Sequence, residues 1–185
     1  MAHNALIILA PGFEDLEAVT VIDLLRRAGM NLQIASLTED EAIGARGTPI
    51  RTDTNLSLLN QEQAFDVLVL PGGQPGVDNL CQDERVLAMV RRQIANNRLV
   101  AAVCAAPKVL AVADVINGKT ITHYPGAISG AQVKSANVTE NPVEVDLPII
   151  TGRSVGAAMD FALAIIEAVD GAETRHAVEQ PMLRS

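Results

Sequence analysis

Four runs in this chain, residues 5–10, 66–70, 99–103 and 149–151, are apolar at nearly every position, and each stops abruptly at Pro-Gly, at Gly or at a cysteine. A strand with one wet face alternates apolar and polar side chains. Runs without that alternation are buried on both faces, which is the condition of a parallel sheet sandwiched between helices. The segments between the runs supply the helices. These features predict an α/β fold, a three-layer sandwich around a mostly parallel sheet. With 185 residues, 49% of them hydrophobic, residues 1–185 are expected to form one domain with a full core.

In detail, the first strand gives way at Pro11-Gly12 to a helix from about Glu14, with Leu16, Val19, Ile22 and Leu25 at helical spacing and Gly29 as its stop. Residues 32–37 read as a strand. Residues 38–60 are polar and hold extended patches at 50–52 and 56–58, which predicts a small antiparallel excursion. Helix is expected over 83–97, from Pro107 to about Val115 and over 155–169, with short strands and turns after Gly118.

The formal net charge is −8. An acidic surface repels phosphate backbones and anionic headgroups, so no nucleic-acid or membrane partner is expected. The first apolar run lacks a basic leader and is only six residues long, which does not make a signal peptide. Two cysteines outside any CxxC pair give neither a disulfide framework nor zinc spacing. The expectation is a cytoplasmic protein with free thiols and no metal.

Open parallel sheets bind ligands beyond the carboxyl ends of their strands, and three such exits carry chemistry here. The first is Pro11-Gly12-Phe13-Glu14-Asp15-Leu16-Glu17, the second Pro71-Gly72-Gly73, and the third Cys104 itself, followed by Ala105-Ala106-Pro107. An apolar strand running into a thiol and then a Pro-initiated helix has the form of a nucleophile elbow, with backbone N–H groups and the positive helix end favouring a thiolate. Gly72-Gly73 would let the backbone approach a substrate and point N–H groups at it, and the Ala105 N–H could complete an oxyanion hole. Cys81 has no such context and reads as structural. His3 and His176 read as solvated terminal residues; Arg46 and Arg153 could reach the site or a dimer seam, with exposed ion pairs the favoured reading.

Residues 10–19 (APGFEDLEAV), Val69-Leu70-Pro71-Gly72-Gly73, residues 101–107 (AAVCAAP) and residues 161–167 (FALAIIE) together resemble the ThiJ/PfpI superfamily, in the same order along nearly the whole chain. Within it they are most similar to the branch of the human parkinsonism-associated deglycase and its bacterial relatives. The resemblance implies a flavodoxin-like sandwich, a homodimer joined through the first helix and the excursion around 46–52, and a site that needs no cofactor. In that site Cys104 is the oxidisable nucleophile, Glu17 the acid beside it, and Gly73 and Ala105 the backbone donors. The family's accompanying histidine falls at Tyr124 when the segment is aligned on Pro125, with His123 one residue away. Ala105 replaces the histidine of the protease-like branch.

Glu17 next to a thiolate makes sense only when protonated, since an ionised carboxylate would raise the thiol's pKa whereas a neutral one donates to sulfur. Three functions follow. One is a glyoxalase or deglycase acting on methylglyoxal, glyoxal or early glycation adducts. Another is a redox sensor or redox-regulated chaperone built on a Cys104 sulfinate. A peptidase or amidase is third, disfavoured by Ala105.

Overall fold

The structure is a computed structural model and describes residues 2–183 apart from Thr38, Gln61, Ala131 and Lys134. Thr38, where the expected excursion begins, therefore lies outside the described residues. Seven strands form the main sheet: β1 (Asn4–Leu9), β2 (Asn31–Ser36), β5 (Thr54–Asn55), β6 (Val67–Leu70), β7 (Leu99–Val103), β10 (Val143–Asp146) and β11 (Ile149–Gly152). Their order is β10-β11-β7-β6-β1-β2-β5, and β10 alone runs antiparallel to its neighbour. Two two-stranded ribbons lie outside it: β3 (Glu41–Ile43) with β4 (Pro49–Arg51), and β8 (Thr120–Thr122) with β9 (Asn137–Thr139).

The apolar runs alternate in destination rather than in polarity. From β1, Leu6 and Ile8 enter one core and Ala5, Ile7 and Leu9 the other; from β7, Val100 and Ala102 part from Ala101 and Val103 in the same way. The first core is closed by α2 (Gly76–Gln82), α3 (Glu84–Ala95) and α4 (Pro107–Val112). The second is closed by α1 (Asp15–Arg27) and α5 (Ala158–Glu179). This is the expected three-layer sandwich, because strands with two apolar faces need two helical layers.

Four details differ from the expectations. The antiparallel excursion pairs residues 41–43 with 49–51, while 56–58 form a turn in which the Asn55 side chain accepts from Ser57 and Leu58 N–H. Helix α5 runs ten residues past its expected end, bent at Gly171 (φ 85°). His3 is tied down between Asp66 and Asp170, at 3.5 and 3.3 Å. On α1 the inward face is Glu17, Ala18, Val21, Ile22, Leu24 and Leu25, whereas Leu16 and Val19 are 54% and 50% exposed. Of the apolar residues at helical spacing, Ile22 and Leu25 thus face inward while Leu16 and Val19 do not, and a hydrogen-bonded carboxyl takes an inward position.

Candidate active site

The chain lays β2 on one side of β1 and then returns to lay β6 on the other. The strand order reverses there, and the exits of β1, β6 and β7 open side by side. The β1–α1 turn is stitched to the β6–α2 turn by the Glu14 N–H donating to Gly72 O (2.8 Å), and Asn79 Nδ2 donates to Pro11 O (3.0 Å). Close approach explains the glycines: a Cβ on Gly73 (φ 95°) would lie 2.3 Å from Glu14 N, and one on Gly12 (φ 86°) 2.5 Å from Pro75. Gly12 and Gly76 belong to the same backbone knot.

Cys104 sits at φ 61°, in the left-handed region where a non-glycine residue is strained. The conformation is held from both sides: its N–H donates to Gly152 O and its carbonyl accepts from Tyr124 N–H, each at 2.8 Å. This is the sharp turn anticipated for the elbow. The Ala105 N–H points back at the sulfur and favours its anion.

Glu17 has no exposed surface. Its Oε2 accepts the Gly72 N–H at 2.8 Å, and a Cβ on Gly72 would lie 2.8 Å from both that oxygen and Cys104 Cβ. The Gly72 N–H is therefore spent on the carboxyl instead of pointing at a substrate, a correction to the sequence reading. Among the described residues Glu17 Oε1 is buried with no hydrogen-bond partner, and the titratable side chains acting on the carboxyl are Cys104 and Glu14. Burial pushes the Glu17 carboxyl up to about 7 against the pull of the Gly72 N–H. Burial pushes the Cys104 thiol up to about 12, reinforced by the Glu17 carboxylate and opposed by the Ala105 N–H. The sequence reading had the local donors favouring a thiolate; enclosure of the sulfur outweighs them while Glu17 is ionised. Once Glu17 carries a proton the repulsion is gone and the O–H becomes a donor to sulfur.

The β8 exit brings His123 and Tyr124 alongside. Tyr124 is 51% exposed, and its carbonyl lies 2.8 Å from His123 Nδ1. That local contact occupies one ring nitrogen of His123. Arg153 forms an ion pair with Glu140 at 3.5 Å. A cavity of about 290 Å³ lined by His3, Asp66, Arg98 and Leu147 lies at the opposite, amino edge of the sheet and contains none of the candidate residues. Among the described residues no cluster of three or more His, Cys, Asp or Glu side chains could hold a metal ion, and no helix is long and apolar enough to cross a membrane.

The model of the DJ-1/PfpI family matches residues 3–168. The Drosophila melanogaster protein dj-1beta is 38% identical over 184 residues, covering 99% of this chain and 98% of that protein. Its crystal structure superposes with a TM-score of 0.94 over the whole of both chains. A Caenorhabditis elegans protein named glutathione-independent glyoxalase DJR-1.2 is 28% identical over 180 residues, covering 97% of this chain and 95% of its own.

Proposed function

Because this chain belongs to the DJ-1/PfpI family, we propose that it is a cysteine-dependent glyoxalase or deglycase, converting methylglyoxal, glyoxal or an early glycation adduct to the 2-hydroxy acid. The observation that carries this reading is a fully buried Glu17 carboxyl, raised to about 7, beside a Cys104 fixed in a strained turn. The name of the Caenorhabditis elegans relative supports the same reaction class.

In the proposed sequence the pair loses one proton, and in the reactive tautomer the remaining one sits on Glu17 and the charge on Cys104. The thiolate adds to the aldehyde carbon, forming the C–S bond. The aldehyde oxygen becomes the hydroxyl of a hemithioacetal, taking its proton from Glu17 and passing near the Ala105 N–H. Glu17, now ionised, accepts the C1 proton, and the electron pair it leaves forms an enediol; Glu17 then returns the proton to C2 while the proton on the C1 oxygen passes to the C2 oxygen, so that the ketone becomes a secondary alcohol and C1 a thioester carbonyl. Water cleaves the C–S bond, giving lactate from methylglyoxal and restoring the thiol. Gly73 shapes the turn facing this path, and the His123-Tyr124 segment is tied to the nucleophile's turn by the Tyr124 N–H donating to the Cys104 carbonyl. Lactate formed from methylglyoxal without added glutathione, absent in Cys104→Ser, is the test; no lactate from the wild-type protein would sink the reading.

Redox sensing is the second reading, favoured by the same acid. Two equivalents of peroxide take a thiol to sulfenic and then sulfinic acid, each step releasing water, and a neutral Glu17 is a suitable donor to the sulfinate oxygens. Assembly is proposed as a homodimer, since Leu16, Val19 and Ile43 (45% exposed) present an apolar surface on α1 and the β3–β4 ribbon. Sedimentation as a monomer at micromolar concentration would contradict it.

A further inference from the structure

We infer that Asp15 is a positioning residue for the Glu17–Cys104 pair, acting by clamping the β3–β4 ribbon onto the β1–α1 turn and the start of the helix that carries Glu17. The inference rests on the pairing proposed above. One carboxylate receives two backbone donors from the ribbon's connecting loop: Arg46 N–H to Oδ2 at 2.9 Å and Thr48 N–H to Oδ1 at 3.1 Å. These bonds hold the Asp15 carboxyl below its usual range, despite partial desolvation, so it is ionised wherever the site is in use. The loop is built around it: a Cβ on Gly44 would lie 2.5 Å from the Asp15 carboxyl atoms. Two further bonds complete the strap, Gly12 N–H to Ile43 O at 2.8 Å and Ala45 N–H to Phe13 O at 2.7 Å. The ribbon thus covers the β1–α1 turn from outside, while Gly72 fixes it from inside.

Such a strap matters because the pair works only if Glu17 keeps its proton near neutral pH, and burial is what keeps it there. The ionisable groups bearing on Glu17 are Glu14, from its own helix start, and Cys104, from the β7–α4 turn; Gly72 from the β6–α2 turn offers only an N–H. Asp15 exerts its effect through placement. Releasing the clamp lets water reach Glu17, which then ionises at lower pH and leaves less of the tautomer with the proton on Glu17 and the charge on sulfur.

The test is the pH dependence of Cys104 alkylation by iodoacetamide, followed by peptide mass spectrometry with Cys81 as internal reference, in wild type, Asp15→Ala, Asp15→Asn and Gly44→Ala. For each unit by which Glu17 becomes more acidic, the midpoint falls by one unit and the rate above it drops roughly tenfold. Asp15→Ala should show the largest change. Asp15→Asn, which keeps one acceptor, should fall between. Gly44→Ala, which displaces the carboxylate from the other side, should reproduce the direction. Should Asp15→Ala not fold, the other two variants carry the test. Lower melting temperatures with an unchanged midpoint and plateau would overturn the inference, reducing Asp15 to a loop staple. Absence of lactate formation by the wild-type protein would remove the glyoxalase reading but leave this measurement intact.

Discussion

Cys81 and Cys104 are both half-buried thiols, and burial pushes both up, to about 11 and about 12. On acidity alone Cys81 would be the better nucleophile. Their surroundings reverse the order. Cys81 lies near a fixed ion pair, Lys108 to Asp78 at 2.7 Å, whose opposite charges act on it in opposing directions and cannot exchange a proton with it on demand. Cys104 is set against Glu17, a group that titrates near neutral pH and can take over the proton the sulfur gives up. The contrast teaches that what equips a buried thiol for chemistry is a proton partner matched to ambient pH, more than a low pKa of its own.

The largest effect expected is all-or-none. Cys104→Ser should abolish lactate formation from methylglyoxal, and Cys81→Ser should leave it unchanged. Equal losses from both substitutions would erase the contrast between the two thiols.

Next in size is the cost of holding Glu17 inside. Its pKa rises from 4.5 to about 7 on folding, so the folded state binds the proton more tightly than the unfolded chain. Any stability linked to that proton is complete below pH 4.5 and is lost as pH climbs through 7, by about 3 kcal/mol in total. Glu17→Gln has no such titration. Between pH 4 and pH 8 its stability in denaturant melts should improve relative to wild type by about that amount. A difference that stays flat with pH would mean Glu17 is not titrating in the fold.

These two residues were not equally legible in the sequence. Cys104 stood out because an apolar strand, a thiol and a Pro-initiated helix are contiguous, and the left-handed turn at φ 61° follows from that local order. Glu17 carries no local sign of burial. On helical spacing Leu16 and Val19 claim the inward face of α1, and only Gly72, 55 residues away, supplies the N–H that makes an inward carboxyl tolerable. Its role came from resemblance to relatives. The Asp15 clamp was invisible for a similar reason: its partners are backbone N–H groups 31 and 33 residues on, and backbone donors leave no mark on composition. Strands β1, β2, β6, β7 and β11 were readable because strands buried on both faces show it residue by residue, whereas the edge strands β5 and β10 are short and only partly buried and carry no such run. Of the β3–β4 ribbon, β4 lies close to the extended patch expected at 50–52, whereas its partner at 41–43 was missed because a strand three residues long carries too little pattern.

A third measurement sharpens the role of the proton partner. Alkylation of Cys104 should rise with an apparent midpoint near 7, the pH at which the pair gives up its first proton, whereas Cys81 should still be rising at pH 9. In Glu17→Ala the step near 7 should vanish and the rate at pH 7.5 should fall roughly tenfold, since a hydrogen bond to a charged sulfur contributes about 1.5–3 kcal/mol and relief from burial recovers part of it. A step that persists in Glu17→Ala would assign the titration to another group.

The smallest effect probes Cys81 itself. Lys108 is the cation that eases Cys81 deprotonation, and its partner Asp78 opposes it. Lys108→Met removes the favourable charge and leaves the unfavourable one unpaired, so both changes push the Cys81 thiol further up and slow its alkylation. Partly exposed ion pairs are worth about 0.5–1 kcal/mol, which corresponds to a roughly two- to fivefold slowing. Lys108 lies only four positions beyond Cys104, yet it is not among the groups acting on that sulfur; those are Glu17, Ala105 and Glu14. The rate and midpoint of Cys104 should therefore stay where they are in Lys108→Met. A parallel slowing of Cys104 would show that the start of α4 acts on both thiols through one shared field, and the division between a proton-partnered cysteine and a merely charged neighbourhood would have to be redrawn.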